Sequence, residues 1–130
     1  MFSFFSKGNA QYDQLASDFS FKDVEGKTIN LANYKNKVIV VVNVASRCGF
    51  TNQYKDLQAL WTDYKDKGLI IIGVPSNSFR QEQGTNKEIK NFCETTFGIS
   101  FPITEKLNVI GANAHPFFKW AKDNHGSSAI

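Results

Sequence analysis

The segment from Val38 to Val44 constrains the fold most, because its seven residues are all apolar except for one asparagine. A run of β-branched residues of this length is typical of a strand that is buried on both faces, as in a parallel sheet. A polar turn with a single cysteine, Cys48, follows it. A helix is predicted to begin near Asn52, with Thr51 as its cap. The sequence therefore places a thiol between the carboxyl end of a strand and the amino end of a helix.

The position of Cys48 favours a reactive thiol. Ligands of open α/β sheets bind beyond the carboxyl ends of parallel strands. The amino end of a helix stabilises an anion, and the nucleophilic form of cysteine, the thiolate, is an anion. Arg47 adds a positive charge beside it. The alternative interpretation is a structural cysteine packed as a small hydrophobe.

The flanking pattern predicts a hairpin and a βαβ unit. Segments 19–22 and 28–31 alternate apolar and polar residues on either side of a turn, which predicts a β-hairpin. Residues 52–67 repeat apolar side chains at helical spacing and end at Gly68, and the apolar segment 69–74 predicts a second buried strand. Strand, helix and strand predict parallel pairing with a right-handed crossover. The predicted inward face of this helix consists of Tyr54, Leu57, Leu60, Trp61 and Tyr64.

A loop and a second helix follow. Residues 75–84 form the predicted loop, which we expect beside the Cys48 turn because both follow parallel strands. Thr85-Asn86-Lys87-Glu88 matches the capping-box pattern and predicts a helix that runs to about Phe97 and stops at Gly98. This helix carries the second cysteine, Cys93, on or near its apolar face.

The C-terminal part of the sequence predicts short extended pieces and one more helix. The extended pieces are 101–103 and 107–110. Pro116 suits the first position of the last helix, and Gly126 suits its end. The residues expected to pack inward from this helix are Phe117, Trp120 and Ala121.

Composition limits the class of protein and its partners. The chain has 130 residues, is 42% hydrophobic and contains 12 Phe, which fits one globular α/β domain. The net charge of +3 is scattered and forms no basic stripe, so we expect no nucleic-acid partner. No apolar run approaches about 18 residues. Segment 1–5 lacks signal-peptide features, so we expect a cytoplasmic protein without membrane insertion.

The cysteine and histidine content points to redox chemistry rather than a metal site. Two cysteines cannot form a disulfide framework, but they can form a transient bridge. No His/Cys cluster has metal-ligand spacing, so no metal is expected.

These motifs resemble the glutathione peroxidase family, a branch of the thioredoxin-like fold. Residues 43–51, Asn-Val-Ala-Ser-Arg-Cys-Gly-Phe-Thr, are similar to the family's signature around its peroxidatic cysteine or selenocysteine. Residues 74–79, Val-Pro-Ser-Asn-Ser-Phe, are similar to the second signature, and Gln81-Glu82 follows in the expected place. Phe101-Pro102 and Ala114-His115-Pro116 also stand where the family has them.

The resemblance covers nearly all of residues 18–126 and implies a fold. We expect a thioredoxin-like domain over residues 18–130, with a central mixed β-sheet flanked by helices, the N-terminal hairpin and an N-terminal arm over residues 1–17. The family pattern continues into a Trp-Asn-Phe motif that supplies a Trp and an Asn beside the thiol. The sequence reaches Ile130 before such a motif. The domain is therefore expected to be incomplete at its C-terminus, without its last strand or strands and helix.

The sequence departs from the family pattern around the second signature. Ser78 stands where the family usually has Gln, and Gln83 stands where it usually has Pro. The loop after Phe79 is one residue shorter than usual. None of these changes removes a matched catalytic group, but the shorter loop affects the reach of Gln81.

The resemblance implies a thiol-dependent peroxidase that reduces hydrogen peroxide and organic or lipid hydroperoxides in oxidative stress defence. Cys48 is implied as the peroxidatic nucleophile, and Gln81 as the amide that hydrogen-bonds the sulfur and the peroxide. The backbone N–H groups of Gly49 and Phe50 and the charge of Arg47 are expected to support the thiolate.

Cys93 is similar to the resolving cysteine of some family members, which forms a disulfide that thioredoxin reduces. A small buried hydrophobe is the alternative interpretation of Cys93. Glutathione or thioredoxin is expected as the electron donor, with thioredoxin favoured, and no bound cofactor is expected. No assembly insertion is present between His115 and Ile130, so a compact monomer is expected.

Three other functions stay open from the sequence. A thiol–disulfide oxidoreductase commonly uses Cys-x-x-Cys, and the residue three after Cys48 is Thr51. A redox sensor or relay without efficient turnover needs the same accessible thiolate. An inactive fragment that lacks the Trp-Asn part of the site is the third.

Overall fold

The computed structural model describes residues 14–44, 52–76, 85, 87–88, 91 and 98–126. The strands within these residues are β1 (Ser20–Lys22), β2 (Thr28–Asn30), β3 (Val38–Val44) and β4 (Leu69–Pro75), and the helices are α1 (Asn52–Tyr64) and α2 (Pro116–His125). Short 3₁₀ turns are present at Ala16–Asp18, Leu31–Tyr34 and Lys65–Lys67. The predicted hairpin, βαβ unit and final helix are confirmed. The predicted boundary between an arm and a domain at residues 17 and 18 stays a prediction.

The hairpin of β1 and β2 begins the fold. The two strands pair antiparallel, with Phe21 opposite Ile29, and both of these side chains are buried. Asp23 holds the turn, because its Oδ1 accepts hydrogen bonds from the backbone N–H groups of Glu25 (2.8 Å) and Lys27 (2.9 Å). This self-bonding turn is the usual role of Asp between two strands.

β3 and β4 pair in parallel over their whole length. The register runs from Val38 opposite Leu69 to Val44 opposite Pro75. The carboxyl ends of the two strands therefore lie side by side at one edge of the sheet, which we call the carboxyl edge. The chain therefore leaves both strands at this edge, where ligands of open α/β sheets bind.

Segment 102–107 lies between β4 and β1 and joins the two strand pairs into one mixed arrangement. Two parallel bridges, from Ile103 to Gly73 and from Leu107 to Ser76, hold the segment beside β4 and the residue after it. One antiparallel bridge, from Thr104 to Asp23, joins it to the residue after β1. The backbone N–H of Thr104 donates to the carbonyl of Gly73, and that of Glu105 donates to the carbonyl of Lys22, both at 2.9 Å. The predicted central mixed sheet is confirmed in this form.

The two parallel strands differ in burial. β4 is buried along its entire length, as predicted. In β3, Val38 is 65% exposed and residues 39–43 are only partly buried, so the prediction of a fully buried strand is wrong there. The reason is the strand order: within the described residues β3 pairs with β4 alone, whereas β4 is also bridged by segment 102–107.

Helix α1 covers one face of the sheet, but fewer of its apolar side chains are buried there than the sequence predicts. Tyr54 is buried, and Leu57 and Trp61 pack against the core around it. Leu60 and Tyr64 were expected to face inward, but they are 39% and 46% exposed. Leu60 lies roughly a quarter turn from the buried stripe. Tyr64 is the last helical residue, and the Nζ of Lys67 lies 5.5 Å from its ring centroid.

The end of α1 follows the prediction. Its last turn tightens into the 3₁₀ turn Lys65–Lys67, and Gly68 follows with a left-handed φ of 96°. Glycine adopts this conformation without the penalty that a Cβ would bring.

The predicted capping box at Thr85 is confirmed. The backbone N–H of Thr85 donates to Oε1 of Glu88 (2.9 Å), and the backbone N–H of Glu88 donates to Oγ1 of Thr85 (3.2 Å). These hydrogen bonds hold the pKa of Glu88 below its usual value, because they stabilise the charged carboxylate. Lys87, Glu88 and Asn91 are helical. The rest of this predicted helix, including Cys93, lies outside the described residues.

Helix α2 packs on the hairpin through aromatic side chains. Pro116 is its first residue, and Gly126 follows it with a φ of 85°, as predicted. Ala121 is buried as expected, Phe117 and Trp120 are partly buried, and the sequence analysis missed the buried Phe118. The ring of Phe19, next to β1, lies 5.9 Å from Phe117 and 5.5 Å from Trp120.

We expect a substitution in the buried strand β4 to lower the free energy of unfolding more than a substitution at the exposed end of β3. Ile72→Val removes one methylene from a fully buried site and should lower the free energy of unfolding by about 1 kcal/mol. Val38→Ala on the exposed end of β3 is the control and should change it by less than about 0.5 kcal/mol. Urea unfolding measures both, and equal losses in the two variants would contradict the burial pattern.

Candidate active site

The carboxyl edge carries both segments in which the sequence analysis places catalytic groups. The first signature enters the turn after Val44, and the second leaves the sheet after Pro75, its register partner. Ser76, the residue after β4, is buried and bridges to Leu107. The parallel register brings the starting points of these two segments together.

The candidate catalytic side chains themselves are not among the described residues. They are Arg47, Cys48, Gly49, Phe50, Gln81 and Cys93. Their roles stay predictions, and the structure shows the strand ends and the helix start that flank the Cys48 segment in the sequence.

The amino end of α1 forms the second part of the frame. The helix begins at Asn52, four residues after Cys48, and continues for 13 residues. A helix of this length carries a partial positive charge at its amino end, which favours an anion there. In the sequence, the cysteine segment lies between a strand and this end of a helix, which is a position where reactive cysteines are found.

The side of α1 that faces the sheet is anchored by a pair of hydrogen bonds and an apolar cluster. The side chain of Gln58 donates through Nε2 to Oγ of Ser100 (2.9 Å), and the backbone N–H of Ser100 donates to Oε1 of Gln58 (2.8 Å). Tyr54 packs in a cluster with Ile71 of β4 and Ile99. These contacts fix the direction in which the amino end of α1 points.

Asn43 is an unusual residue in β3, and it opens the first signature. Its side-chain Oδ1 is buried and accepts no hydrogen bond among the described residues. Its Cα lies opposite that of Val74 in the parallel register, close to the carboxyl edge. A buried amide oxygen is costly without a donor. The apolar pattern of the strand alone does not account for this residue.

His115, which the sequence analysis noted only as part of a motif, caps helix α2. Its Nδ1 accepts a hydrogen bond from the backbone N–H of Phe117 (3.1 Å). Its ring stacks on Phe21 with centroids 4.5 Å apart and an angle of 18°. The signal for this cap was Pro116, because the residue before a proline at the first helical position is the cap.

Burial is the main influence on the titration of His115. It lowers the pKa of the ring, while a hydrogen bond with the Ser20 backbone and the charge of Glu105 act in the opposite direction. A neutral ring also keeps Nδ1 available as the acceptor that caps the helix. The geometry therefore assigns His115 a structural role.

The part of the chain that the structure describes contains neither a metal-ligand cluster nor a membrane-spanning helix. No group of three His, Cys, Asp or Glu side chains comes together there as metal ligands would. Neither helix there has the length and apolar character needed to cross a membrane.

The parallel strand–helix–strand unit beside an antiparallel hairpin defines a protein of the thioredoxin-like class. A thioredoxin family thiol:disulfide interchange protein from Chlorobium tepidum TLS matches the fold with a TM-score of 0.55 and 26% identity, over 67% of this chain and 56% of that chain. The predicted fold class is confirmed by this likeness.

Within this class, the chain belongs to the glutathione peroxidase family, whose sequence model, described as glutathione peroxidase, matches residues 16–122. The hydroperoxy fatty acid reductase gpx1 of Synechocystis sp. is 46% identical over 112 residues, which are 85% of this chain and 66% of that protein. The glutathione peroxidase-like peroxiredoxin gpx1 of Schizosaccharomyces pombe is 47% identical over 106 residues, 81% of this chain and 67% of that protein. The sequence resemblance is confirmed.

A solved structure supports the assignment to the glutathione peroxidase family. The crystal structure of T. cruzi GPX1 has a TM-score of 0.67 and 28% identity, and the match covers 90% of this chain and 73% of that one. The chain spans about two thirds of the length of the curated relatives described above.

We expect stability to depend on pH through His115. The folded-state pKa lies below the unfolded value of about 6.5, so the unfolded chain binds the proton more readily. The stabilisation is complete above about pH 6.5 and is lost as the pH falls through the folded pKa. Urea unfolding between about pH 5 and 8 measures this slope.

The matched variants for this prediction are His115→Asn and His125→Asn. Asparagine caps a helix but does not titrate, so His115→Asn should flatten the slope below about pH 6.5. His125→Asn leaves the cap intact and should keep the slope. An unchanged slope in His115→Asn would show that another group causes the pH dependence.

Proposed function

We propose that this chain is a thiol-dependent peroxidase that reduces hydroperoxides through Cys48. The parallel register of β3 and β4 is the observation that supports the proposal most, because it sets Asn43 and Val74, the first residues of the two signatures, opposite each other. The amino end of α1 follows the cysteine turn directly. Membership of the glutathione peroxidase family, with relatives named as a hydroperoxy fatty acid reductase and a peroxiredoxin, supports the same chemistry.

The reaction begins with the Cys48 thiolate attacking one oxygen of the O–O bond. An S–O bond forms as the O–O bond breaks, so the sulfur loses two electrons and the peroxide is reduced. The leaving alkoxide or hydroxide takes a proton and departs as an alcohol or water, and Cys48 becomes a sulfenic acid. We assign Gln81 as the amide that hydrogen-bonds the sulfur and the peroxide. Arg47 and the N–H groups of Gly49 and Phe50 support the thiolate.

A second thiol completes the cycle in this proposal. The Cys93 thiol attacks the sulfenic sulfur, a disulfide forms between Cys48 and Cys93, and the hydroxyl group leaves as water. A dithiol such as thioredoxin then reduces the disulfide, and glutathione is the alternative donor. The substrates are hydrogen peroxide and organic or lipid hydroperoxides. The protein acts as a cytoplasmic monomer in oxidative stress defence.

Replacing the nucleophile gives the most direct test of the activity. Cys48→Ser should abolish hydroperoxide turnover while leaving urea unfolding unchanged, since only one atom is exchanged. The assay follows loss of hydrogen peroxide with thioredoxin and its reductase, or with glutathione. A Cys48→Ser variant with the wild-type rate would contradict the proposal. Wild-type protein that reacts once and stalls would point instead to a redox sensor or an incomplete site.

The resolving role of Cys93 has its own test. One equivalent of hydrogen peroxide should give a Cys48–Cys93 disulfide that mass spectrometry detects in the wild type. In Cys93→Ser, Cys48 should instead stop at the sulfenic acid and pass to the sulfinic acid with excess peroxide. If Cys48 of the wild type also stops at the sulfenic acid and Cys93 stays reduced, Cys93 is structural. The electron donor then attacks the sulfenic acid of Cys48 directly.

A further inference from the structure

Four exposed lysines come together at the amino ends of β3 and β4, the end of the sheet opposite to the carboxyl edge. They are Lys35, Lys37, Lys65 and Lys67, and we call them the lysine patch. In the sequence they are two short pairs that are far apart, one before β3 and the other before β4. The backbone N–H of Val38 donates to the carbonyl of Gly68 at 2.8 Å, so the residues that follow the two pairs are hydrogen-bonded to each other.

A tyrosine ring lies beside one lysine of each pair. The Nζ of Lys37 lies 5.8 Å from the ring centroid of Tyr34. The Nζ of Lys67 lies 5.5 Å from the ring centroid of Tyr64. The attraction between an ammonium group and an aromatic face orients the lysine but leaves its charge in place. Both halves of the patch therefore combine a positive charge with an aromatic ring.

The lysine patch keeps an excess of positive charge. None of its four lysines forms a salt bridge within the part of the chain that the structure describes. The acidic residues that adjoin the patch in the sequence are Asp63 and Asp66, so four positive charges stand against two negative charges. A surface of this kind attracts an anionic partner.

Exposed apolar side chains border the patch. Val38 directly follows Lys37 and is 65% exposed. On α1, Leu60 and Tyr64 are both exposed and lie one turn apart, so they share one side of the helix. The same end of the sheet therefore offers apolar groups as well as cations.

The residue types favour a lipid surface over other anionic partners. All four cations are lysines, which act as point charges, whereas arginine supplies the planar fork that recognises a single carboxylate or phosphate through paired hydrogen bonds. Tyrosine is enriched where proteins meet the membrane–water interface. Exposed aliphatic groups such as Val38 and Leu60 gain from entering the boundary between headgroups and acyl chains, which a nucleic acid does not provide.

We propose that the lysine patch docks this chain on the surface of an anionic phospholipid bilayer. The lysines contact the charged headgroups, and Leu60 and Tyr64 enter the headgroup region. Strand β3 has seven residues, so the carboxyl edge lies about 20 Å from the patch along the strand. The docked chain holds the carboxyl edge away from the bilayer. The inference is therefore independent of the peroxidase proposal and concerns attachment, not substrate binding.

Vesicle sedimentation with the whole chain tests the docking. Phosphatidylcholine vesicles with about 30% phosphatidylserine should bind the wild type, and pure phosphatidylcholine vesicles should not. Lys37→Gln with Lys67→Gln should lower the partition coefficient roughly 20-fold, because each lysine near an anionic surface contributes about fivefold. Salt at about 0.5 M should release the wild type. Urea unfolding shows that the variant is folded.

The control removes two lysines elsewhere on the molecule. Lys119 and Lys122 are exposed on α2 and line a cavity with residues 109–111, which follow the bridge of Leu107 to Ser76 at the carboxyl edge. Lys119→Gln with Lys122→Gln changes the net charge equally and should keep the partition coefficient within about twofold of the wild type. An equal loss in this control would show a general effect of net charge and would overturn the docking surface.

A second variant tests the apolar part of the surface at constant charge. Leu60→Gln should lower the partition coefficient for the anionic vesicles about threefold, because binding at a bilayer interface scales with buried apolar area. An unchanged partition coefficient would contradict the entry of this side chain into the headgroup region.

Three results would overturn the proposal as a whole. The first is no binding to the anionic vesicles, and the second is equal binding to neutral and anionic vesicles. The third is tighter binding to a DNA duplex or to polyglutamate at the same salt, which would assign the patch to a soluble polyanion. None of these outcomes depends on turnover, so a chain that docks without reducing peroxide would leave this inference standing and remove the catalytic function.

Discussion

The parallel pairing of β3 with β4 is the constraint on which the rest of the structure depends. It aligns Val44 with Pro75, so two segments that are far apart in the sequence leave the sheet next to each other. Segment 102–107 extends this alignment by one strand and brings residues 108–111 to the same edge. The proposed roles of Cys48 and Gln81 both depend on that edge.

The position of α1 on the sheet is the second constraint on the proposed site. The helix crosses back over β4 and is fixed there by Tyr54 and by the paired hydrogen bonds of Gln58 with Ser100. Its amino end begins four residues after Cys48 in the sequence, and the dipole of a helix favours an anion at that end. The proposed role of this helix end in stabilising a thiolate therefore depends on contacts made by Tyr54, Gln58 and Ser100.

The sequence predicted the regular elements well because their signals are local. The bounds of β3, the start of α1, the left-handed Gly68 and the capping box of Thr85 with Glu88 all follow from patterns a few residues long. The predictions that failed concern how deeply a side chain is buried in the folded protein. The exposure of Val38 depends on the order of the strands, and the exposure of Leu60 depends on how narrow the contact of α1 with the sheet is.

The same distinction between local patterns and tertiary contacts applies to the candidate site and its surroundings. Motif resemblance supplies Cys48 and Gln81, but no local pattern in the sequence indicated how side chains pack beneath α2. Val109 and Phe118 belong to different segments of the chain and lie in one buried cluster. The cap made by His115 likewise depends on a ring stacked against a residue of the hairpin.

Ionisation of the Cys48 thiol is the central claim, and its pH-dependent alkylation tests it most directly. The measurement uses Cys93→Ser, so that one thiol is present, and follows iodoacetamide labelling from about pH 4 to 10. We expect a half-maximal rate well below pH 8.5, about the value for an ordinary free thiol. A midpoint at or above that value, with the protein folded, would contradict it.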